Sequence, residues 1–255
     1  MNYIISAATD VGIKKNTNQD SLTVKKINAY GKKMAFALLC DGMGGLSKGE
    51  VASTQLVRVF DNWVMEELPL MMQTGIVEQR IREQWNHIVQ TQNNIIMNYG
   101  KSQGVSLGTT VVAILITDER YYIMNVGDSR AYQITNYVKQ LTKDQTVVAR
   151  EVEMEMITQE QAEIDPRRSV LLQCVGASDV VNPEFIFGDT RKDATYMLCS
   201  DGFRHEISQG EILEYLEPDK VTDENIMKNN MEHLINLNKL RMEQDNISVI
   251  SIRTY

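Results

Sequence analysis

The chain has 255 residues, of which 43% are hydrophobic and 24% are charged, and this is enough to bury a large core. Its formal net charge of -8 disfavours nonspecific nucleic-acid binding, which requires a basic stripe. No apolar run reaches the roughly eighteen residues of a membrane span, and residues 1–10 do not resemble a signal peptide. Three cysteines without disulfide-like spacing fit a reducing cytosol, so we expect a cytoplasmic protein.

Short segments rich in β-branched and aromatic residues predict the strands. They cover residues 4–8, 21–27, 34–40, 109–116, 121–126, 131–135, 184–187, 195–199 and 247–253. Residues 34–39 are apolar on both faces, so this strand should be covered on both sides. The short connection at 117–120 predicts an antiparallel hairpin.

Apolar residues that recur on one face predict three helices. The stripes are Ala52, Leu56, Val59, Phe60 and Trp63; then Ile81, Trp85, Ile88, Ile95 and Tyr99; then Met227, Met231, Leu234 and Leu237. We interpret all three as core packing. Because the strands occur in runs with the helices grouped between them, the pattern favours an α+β fold with two facing antiparallel sheets and helices outside.

A polar, charged stretch interrupts this pattern at residues 142–168. It contains a short helix start at 157–161 and precedes a predicted strand at 169–174. We interpret residues 142–170 as a flap-like surface insertion in a single domain that covers residues 1–255.

Five aspartates stand at the starts or ends of predicted strands. Asp20 and Asp245 each precede a strand, whereas Asp41, Asp128 and Asp201 each follow one. Each alone is typical of a turn, above all where glycine follows. In an antiparallel sheet, however, the end of one strand adjoins the start of its neighbour, so these carboxylates could meet at one edge.

Carboxylates gathered at one edge repel one another, and divalent cations remove that cost. Oxygen ligands suit Mg²⁺ or Mn²⁺, whereas the scattered histidines and the absence of Cys/His spacing argue against zinc. Gly42, Gly44 and Gly45 follow Asp41 and would let the backbone approach a bound group. The alternative is a flexible turn into a helix near Gly49, and the segment is not a P-loop.

Motifs in a fixed order along nearly the whole chain carry a family resemblance. They are Thr9-Asp10-Val11-Gly12 and Asn18-Gln19-Asp20; Cys40-Asp41-Gly42-Met43-Gly44-Gly45 and Gly49-Glu50-Val51-Ala52-Ser53; Gly108-Thr109-Thr110; Asn125-Val126-Gly127-Asp128-Ser129-Arg130; Leu141-Thr142-Lys143-Asp144; Ile157-Thr158 and Pro166-Arg167-Arg168; Gly176-Ala177; Ser200-Asp201-Gly202; and Asp245-Asn246-Ile247-Ser248. In these motifs the chain resembles the metal-dependent protein serine/threonine phosphatases of type 2C, in their bacterial form.

The resemblance implies a four-layer αββα sandwich of two mainly antiparallel sheets flanked by helices. It implies hydrolysis of phosphoserine and phosphothreonine on proteins, through direct attack by a water that two Mn²⁺ or Mg²⁺ ions activate. In this scheme Asp41 would bridge the two ions, and the Gly42 carbonyl would bind one of them. Asp201 and Asp245 would bind the other.

Three further residues receive supporting roles from the resemblance. Asp20 would act through metal-bound water, and Asp128, with Asp201, would bind a possible third ion. The family usually has an arginine at position 15 for the substrate phosphate. Lys15 keeps the charge but not the planar two-pronged contact, so we expect a weaker phosphate grip. A solvated pair with Lys14 is the alternative.

Two other positions depart from the family pattern. Gln19 replaces a frequent glutamate, which removes one negative charge near the metals. Met43 stands where eukaryotic relatives carry a histidine proposed as general acid, although bacterial relatives commonly have methionine there. Lys15 and Gln19 leave a pseudophosphatase binding module open as an alternative, and a small-metabolite phosphatase is another. The expected partners are phosphorylated proteins and a Ser/Thr kinase, and we expect a monomer.

Overall fold

The computed structural model describes residues 1–44 and 48–255, so Gly45 of the predicted glycine segment lies outside the described residues. The strands are β1 (Tyr3–Asp10), β2 (Asp20–Ala29), β3 (Lys32–Gly44), β4 (Leu107–Thr109), β5 (Val111–Ile116), β6 (Arg120–Val126), β7 (Arg130–Ile134), β8 (Val138–Gln140), β9 (Glu184–Asp189), β10 (Ala194–Cys199) and β11 (Ile247–Thr254). The helices are α1 (Gly49–Glu66), α2 (Leu68–Thr74), α3 (Glu78–Gln103), α4 (Val147–Glu153), α5 (Gln159–Ile164), α6 (Asp201–Arg204), α7 (Gln209–Leu216) and α8 (Glu224–Leu240), with a 3-10 turn at Pro218–Lys220.

The strands form two antiparallel sheets. Sheet A has the order β1-β11-β10-β7-β8, and sheet B has the order β2-β3-β5-β6-β9, with β4 paired to the end of β3. The predicted hairpin at 117–120 is confirmed, since the Thr117 amide donates to the Arg120 carbonyl between β5 and β6. The predicted strand at 109–116 is divided at Thr110 into β4 and β5.

Three apolar layers hold the sheets and helices together. Sheet B packs on α1, α2 and α3, the two sheets pack on each other, and sheet A packs on α6, α7 and α8. Strand β3 serves two of these layers, because Phe36 and Leu38 face the helices while Ala37 and Leu39 face sheet A. This is the predicted four-layer αββα sandwich, and it explains why β3 is apolar on both faces.

The predicted apolar face of helix α3 is confirmed in its first half, where Ile81 and Trp85 are buried and Ile88 packs against them. In the second half it is wrong, because Ile95 and Tyr99 are exposed and Ile96 is buried instead. The buried face also carries Asn93, which the apolar pattern missed because its amide donates to the Ser178 carbonyl and accepts from the Gly176 amide. A polar side chain that fully satisfies its partners can occupy a core position.

The region predicted as a flap contains two short helices, α4 and α5. The predicted helix start at 157–161 is confirmed by a capping box between Thr158 and Gln161. The predicted strand at 169–174 is wrong, because this segment makes only the isolated bridge Thr146–Leu171. Its backbone amides donate to several segments and to the Ser178 hydroxyl, so no continuous ladder forms.

No helix in the described ranges is long and apolar enough to cross a membrane.

Candidate functional site

Four of the predicted aspartates lie together at one end of the two sheets. Asp20 begins β2 and is in register with Asp41 near the end of β3. Asp201 follows β10, and Asp245 precedes β11, the neighbour of β10 in sheet A. Burial, and then the charges of the other three and of Asp128, raise the pKa of Asp41 well above its usual value. We call Asp20, Asp41, Asp201 and Asp245 the carboxylate cluster.

The carboxylate cluster has the properties of a cation site. Burial, with the charges of Asp201 and Asp245, raises the pKa of Asp20 to about 7, although the nearby hydroxyls of Ser248 and Ser200 oppose this shift. Both carboxylate oxygens of Asp20 and Oδ1 of Asp201 are buried, and none makes a hydrogen bond of regular geometry to the described residues. Buried, unpartnered and mutually repelling oxygens are the donors that Mg²⁺ or Mn²⁺ would stabilise, so the residues fit such ions.

The donors do not form a closed cage. Within residues 1–44 and 48–255, no three acidic, histidine or cysteine side chains converge as a complete metal-binding group. Mg²⁺ does not require one, because it keeps several waters and binds proteins through one or two carboxylates.

Two glycines let the backbone segments of the site approach closely. A Cβ on Gly42 would lie 2.4 Å from the Gly49 carbonyl oxygen and 2.5 Å from that of Gln19. A Cβ on Gly202 would lie 2.2 Å from the Asn246 carbonyl oxygen. No side chain fits at such distances, so both glycines are required for the close packing around Asp41 and Asp201.

Asn246 ties the first loop of the chain to the start of β11. Its side-chain amide donates to the carbonyls of Val11 and Thr17, at 2.9 and 3.2 Å. Its Oδ1 accepts from the Gln19 amide at 2.9 Å, and the whole residue is buried. Asn246 therefore fixes Asp245, which precedes it in the chain, relative to Asp20, which follows Gln19.

Two threonines hold Asp41 in place. Thr110 Oγ1 accepts from the Asp41 amide at 3.0 Å and lies 2.8 Å from Ser129 Oγ. Thr109 Oγ1 donates to the Asp41 carbonyl at 2.9 Å. The Gly-Thr-Thr motif at 108–110 thus orients Asp41. This role cannot be derived from the sequence of the motif alone.

Lys15, the predicted phosphate ligand, contacts the carboxylate cluster directly. Its Nζ lies 3.0 Å from Asp245 Oδ1. Burial alone would lower the pKa of Lys15, but this hydrogen bond and the charges of Asp41 and Asp201 outweigh it and raise the pKa. Lys14 turns elsewhere and donates to Gln244 Oε1 at 2.7 Å. The two lysines are therefore not an equivalent solvated pair.

Gln19 stands where relatives often have a glutamate, and Met43 where eukaryotic relatives have a histidine; neither side chain supplies the missing carboxylate or imidazole. The Gln19 side-chain amide donates to Glu50 Oε2 at 3.3 Å, so its polar end faces α1. A glutamate at position 19 would place two carboxylates against each other there. Met43 is half-buried and pairs with Gly108 between β3 and β4.

Asp128 adjoins the carboxylate cluster, since its charge acts on Asp41 and that of Asp201 acts on it, but it also contacts arginine. It belongs to a group that we call the paired cluster: Asp128, Arg130, Asp144 and Arg204. Arg130 binds Asp144 with two hydrogen bonds of 2.7 Å. Arg204 Nη2 lies 3.4 Å from Asp128 Oδ2 and 3.4 Å from Asp144 Oδ2. Burial and the charge of Asp201 raise the pKa of Asp128 to about 7, although Arg204 lowers it.

Several residues near the site were not singled out from the sequence. His205 lies between Asp201 and Glu243, with nitrogen–oxygen distances of 3.7 and 3.2 Å. Glu243 Oε1 accepts from the amides of Gln244 and Asp245. In the sequence, only the short distance of His205 from Asp201 and of Glu243 from Asp245 indicates that they belong to the site.

A cleft of about 720 Å³ opens beside the carboxylate cluster. Its lining includes residues from the first loop, the predicted flap, the segment after α6 and the loop before β11, namely Lys14, Lys15, Arg168, His205, Glu243 and Asp245. A charged substrate group that enters this cleft would contact both cationic side chains, such as Lys15 and Arg168, and the carboxylates of Glu243 and Asp245.

Comparisons with known proteins agree with the motifs and the fold. The family model described as protein phosphatase 2C matches residues 13–236. A putative protein phosphatase 2C-type from Streptococcus pyogenes is 30% identical over 250 residues, which cover 96% of this chain and 95% of that relative.

Two solved structures extend this likeness to three dimensions. The S. agalactiae serine/threonine phosphatase has a TM-score of 0.86 at 26% identity and covers 100% of both chains. The catalytic domain of the serine/threonine protein phosphatase PstP, solved in complex with 2 manganese ions, has a TM-score of 0.78 at 26% identity and covers 99% of both chains. By its ordered motifs, its fold and these matches, the chain belongs to the protein phosphatase 2C family.

Proposed function

We propose that this protein is a metal-dependent phosphoprotein phosphatase that hydrolyses phosphoserine and phosphothreonine. The observation that carries this function is the carboxylate cluster, which lies beside an open, charged cleft. Both carboxylate oxygens of Asp20 and Oδ1 of Asp201 are buried there without a hydrogen bond of regular geometry to the described residues. The family membership supports the same reaction.

The chain's own residues would hold two Mn²⁺ or Mg²⁺ ions. Asp41 and the Gly42 carbonyl would bind one ion, with Asp41 shared between both, and Asp201 and Asp245 would bind the other. Asp20 would hold a water of this shell, since neither of its buried oxygens makes a hydrogen bond of regular geometry within the described chain. When bound, two such cations lower the pKa of water and offset negative charge on phosphoryl oxygens.

Lys15 would bind and orient the substrate phosphate. Lys15 lines the cleft, and its ammonium group lies 3.0 Å from Asp245 Oδ1, so it can exchange that carboxylate for a phosphoryl oxygen. As a single point charge it fixes the phosphate less rigidly than an arginine fork would. Binding therefore depends more strongly on the carboxylate cluster and its cations.

The cysteines are poor candidates for a nucleophile. Burial raises the pKa of Cys40 well above its usual value and that of Cys199 to about 12. A nucleophilic thiol requires the opposite shift, because the thiolate is the reactive form. Direct attack by water on phosphorus is therefore the route that these residues support.

The wider setting follows from the same features. We propose that residues 1–255 act as one catalytic domain, and that the flap at residues 142–170 contributes to protein-substrate selection through Arg168 at the cleft. All three cysteines are free and buried, which suits a reducing cytoplasm. Phosphoproteins, including a Ser/Thr kinase and its substrates, are the proposed partners of a monomer.

A phosphate-release assay tests this function. The wild type should hydrolyse p-nitrophenyl phosphate and a phosphothreonine peptide in Mn²⁺, should lose this activity in EDTA, and should prefer the peptide to phosphorylated metabolites. Asp201→Asn, which is nearly isosteric, should be strongly impaired. No metal-dependent turnover by the folded wild type would favour a binding module instead, and a preference for metabolites would overturn the protein substrate.

A further inference from the structure

Asp128 makes contacts that compete with a role as a metal ligand. Arg204 Nη2 lies 3.4 Å from Asp128 Oδ2 and 3.3 Å from the Asp128 carbonyl oxygen. The side chains of Arg204 and Asp128 are only 13% and 6% exposed. The guanidinium therefore covers one side of the carboxylate at which a third ion would have to bind.

The same guanidinium also reaches Asp144, which is already held by a second arginine. Arg204 Nη2 lies 3.4 Å from Asp144 Oδ2, and Arg130 binds both oxygens of Asp144. Within the paired cluster two carboxylates thus face two guanidinium groups, so its own formal charges balance. The further charge that acts on Asp128 is that of Asp201, which belongs to the carboxylate cluster, where the two proposed cations would offset it. An additional divalent cation would bring excess positive charge into a largely buried group, at a cost that hydration cannot offset.

The carboxylate cluster has the opposite balance. Its four carboxylates face one ammonium group, that of Lys15, and that group is 41% exposed. Cations are needed there and are not needed at Asp128. The residues therefore fit two ions and do not fit a third ion at Asp128.

We propose that Arg204 takes the place of a third metal ion at Asp128, so that the protein binds two divalent cations per chain. The inference rests on the proposed two-metal centre. Arg204 acts as a positioning residue, because it joins α6, which carries Asp201, to the turn at Asp128 and to Asp144 at the base of the flap. Unlike an exchangeable ion, this positive charge cannot dissociate.

Metal counting tests the proposal without reference to activity. Mn²⁺ binding is measured by calorimetry and by electron paramagnetic resonance of free Mn²⁺ in the full chain. The wild type should bind two ions, and Arg204→Met should bind a third, weaker ion that Asp128→Asn removes in the double variant. Arg204→Lys, the matched control that keeps the charge, should remain at two. A third ion in the wild type that Asp128→Asn removes would overturn the proposal, as would a count of two in folded Arg204→Met.

Thermal unfolding in EDTA gives a second readout. Asp128→Asn relieves the repulsion from Asp201 in both backgrounds, but only in the wild type does it also weaken the contact with Arg204. Its effect on the Tm should therefore be less favourable in the wild type than in Arg204→Met, by about 3–6 °C, and this coupling is absent if the two side chains do not interact. No coupling would overturn the proposal. A wild type that binds no Mn²⁺ but shows the coupling would refute the two-metal function and retain the Arg204–Asp128 contact.

Discussion

Two groups of acidic residues lie side by side at the same end of the sandwich, and they solve the problem of buried charge differently. In the carboxylate cluster, like charges and burial raise the pKa values of Asp20 and Asp41. In the paired cluster, burial would raise the pKa of Asp144, but the hydrogen bonds of Arg130 and the charge of Arg204 hold it below its usual value.

The difference separates residues arranged for stability from residues arranged for function. A buried carboxylate bound by a guanidinium is satisfied within the fold, and removal of either partner is costly. A buried carboxylate among other carboxylates destabilises the fold until a cation binds, and such groups concentrate at functional sites. Asp128 lies between the two groups, because it is repelled by Asp201 and attracted by Arg204.

The largest expected effect is on turnover when the carboxylate cluster loses its central member. Asp41→Asn should lower kcat/KM on a phosphothreonine peptide on the order of 10³-fold, because the amide cannot supply the charge that holds two cations. Steady-state kinetics at saturating Mn²⁺ measure this loss. Lys15→Ala is the comparison at the same cleft, and its kcat/KM should fall by only about tenfold. Equal losses for both would mean that phosphate grip, and not cation binding, limits the reaction.

The next effect is on stability when the paired cluster loses a charge. Asp144→Asn should lower the unfolding free energy by about 3 kcal/mol, since it leaves Arg130 buried beside a neutral amide. Urea denaturation in EDTA measures this change. The matched control is Asp189→Asn, because Asp189 pairs with Arg120 at 3.0 Å but is 86% exposed, and it should cost far less. Similar costs for both would remove the distinction between the clusters.

A smaller effect is expected at the junction that brings the carboxylate cluster together. Asn246→Ala removes three hydrogen bonds of a buried side chain and should lower the unfolding free energy by about 2 kcal/mol. It should also weaken Mn²⁺ binding, because Asp20 and Asp245 lose their common support. Thr254→Ala is the control, since Thr254 is equally buried and its hydroxyl also makes three hydrogen bonds, with Arg191 and Ala194, at the opposite end of β11. Weakened Mn²⁺ binding in both variants would indicate a general effect on folding.

A pH dependence whose sign differs between Asp20 and Asp144 also distinguishes the clusters. Without metal, Asp20 has a pKa raised to about 7, whereas an unfolded aspartate has a value of about 3.9. Between about pH 4 and pH 7 the native state then binds more protons than the unfolded state, so its stability falls as the pH rises. Asp144 has the opposite shift, so its contribution is present above about pH 4 and is lost as the pH falls through its lower folded pKa.

Chemical denaturation in EDTA from pH 3 to pH 8 measures both trends. We expect Asp20→Asn to reduce the decline between about pH 4 and pH 7, and Asp144→Asn to reduce the loss of stability on acidification below about pH 4. A decline toward pH 7 that is unchanged in Asp20→Asn would show that this carboxyl does not titrate in that range.

Much of the fold could be predicted because its determinants are local. The alternation and length of apolar runs placed most strands, and the doubly apolar strand β3 indicated facing sheets. The errors arose where tertiary contacts decide. Asn93 is buried because Gly176 and Ser178 are there to bind it, and residues 169–174 lack a partner strand. Neither condition can be derived from a run of residue types.

The carboxylate cluster could be predicted because strand ends bring Asp20, Asp41, Asp201 and Asp245 to one edge. The pairing of Asp128 could not, because it depends on Arg204, whose direction is fixed only when α6 is placed against the turn after β6. The support of Asp41 by Thr110 and Ser129 was hidden for the same reason. The sequence shows which residues carry charge, but only the packed structure determines which opposite charge or hydrogen-bond donor each of them contacts.

The measurement that tests the central claim most directly is the stability of wild type and Asp41→Asn in EDTA and in Mn²⁺. If repulsion among its carboxylates destabilises the carboxylate cluster and bound cations offset that repulsion, Mn²⁺ should raise the Tm of the wild type by several degrees. A shift of about this size is expected for a ligand that binds only the native state. In EDTA, Asp41→Asn should be at least as stable as the wild type, and Mn²⁺ should add little to it. A wild type that is insensitive to Mn²⁺, or an Asp41→Asn variant that is much less stable in EDTA, would contradict the account.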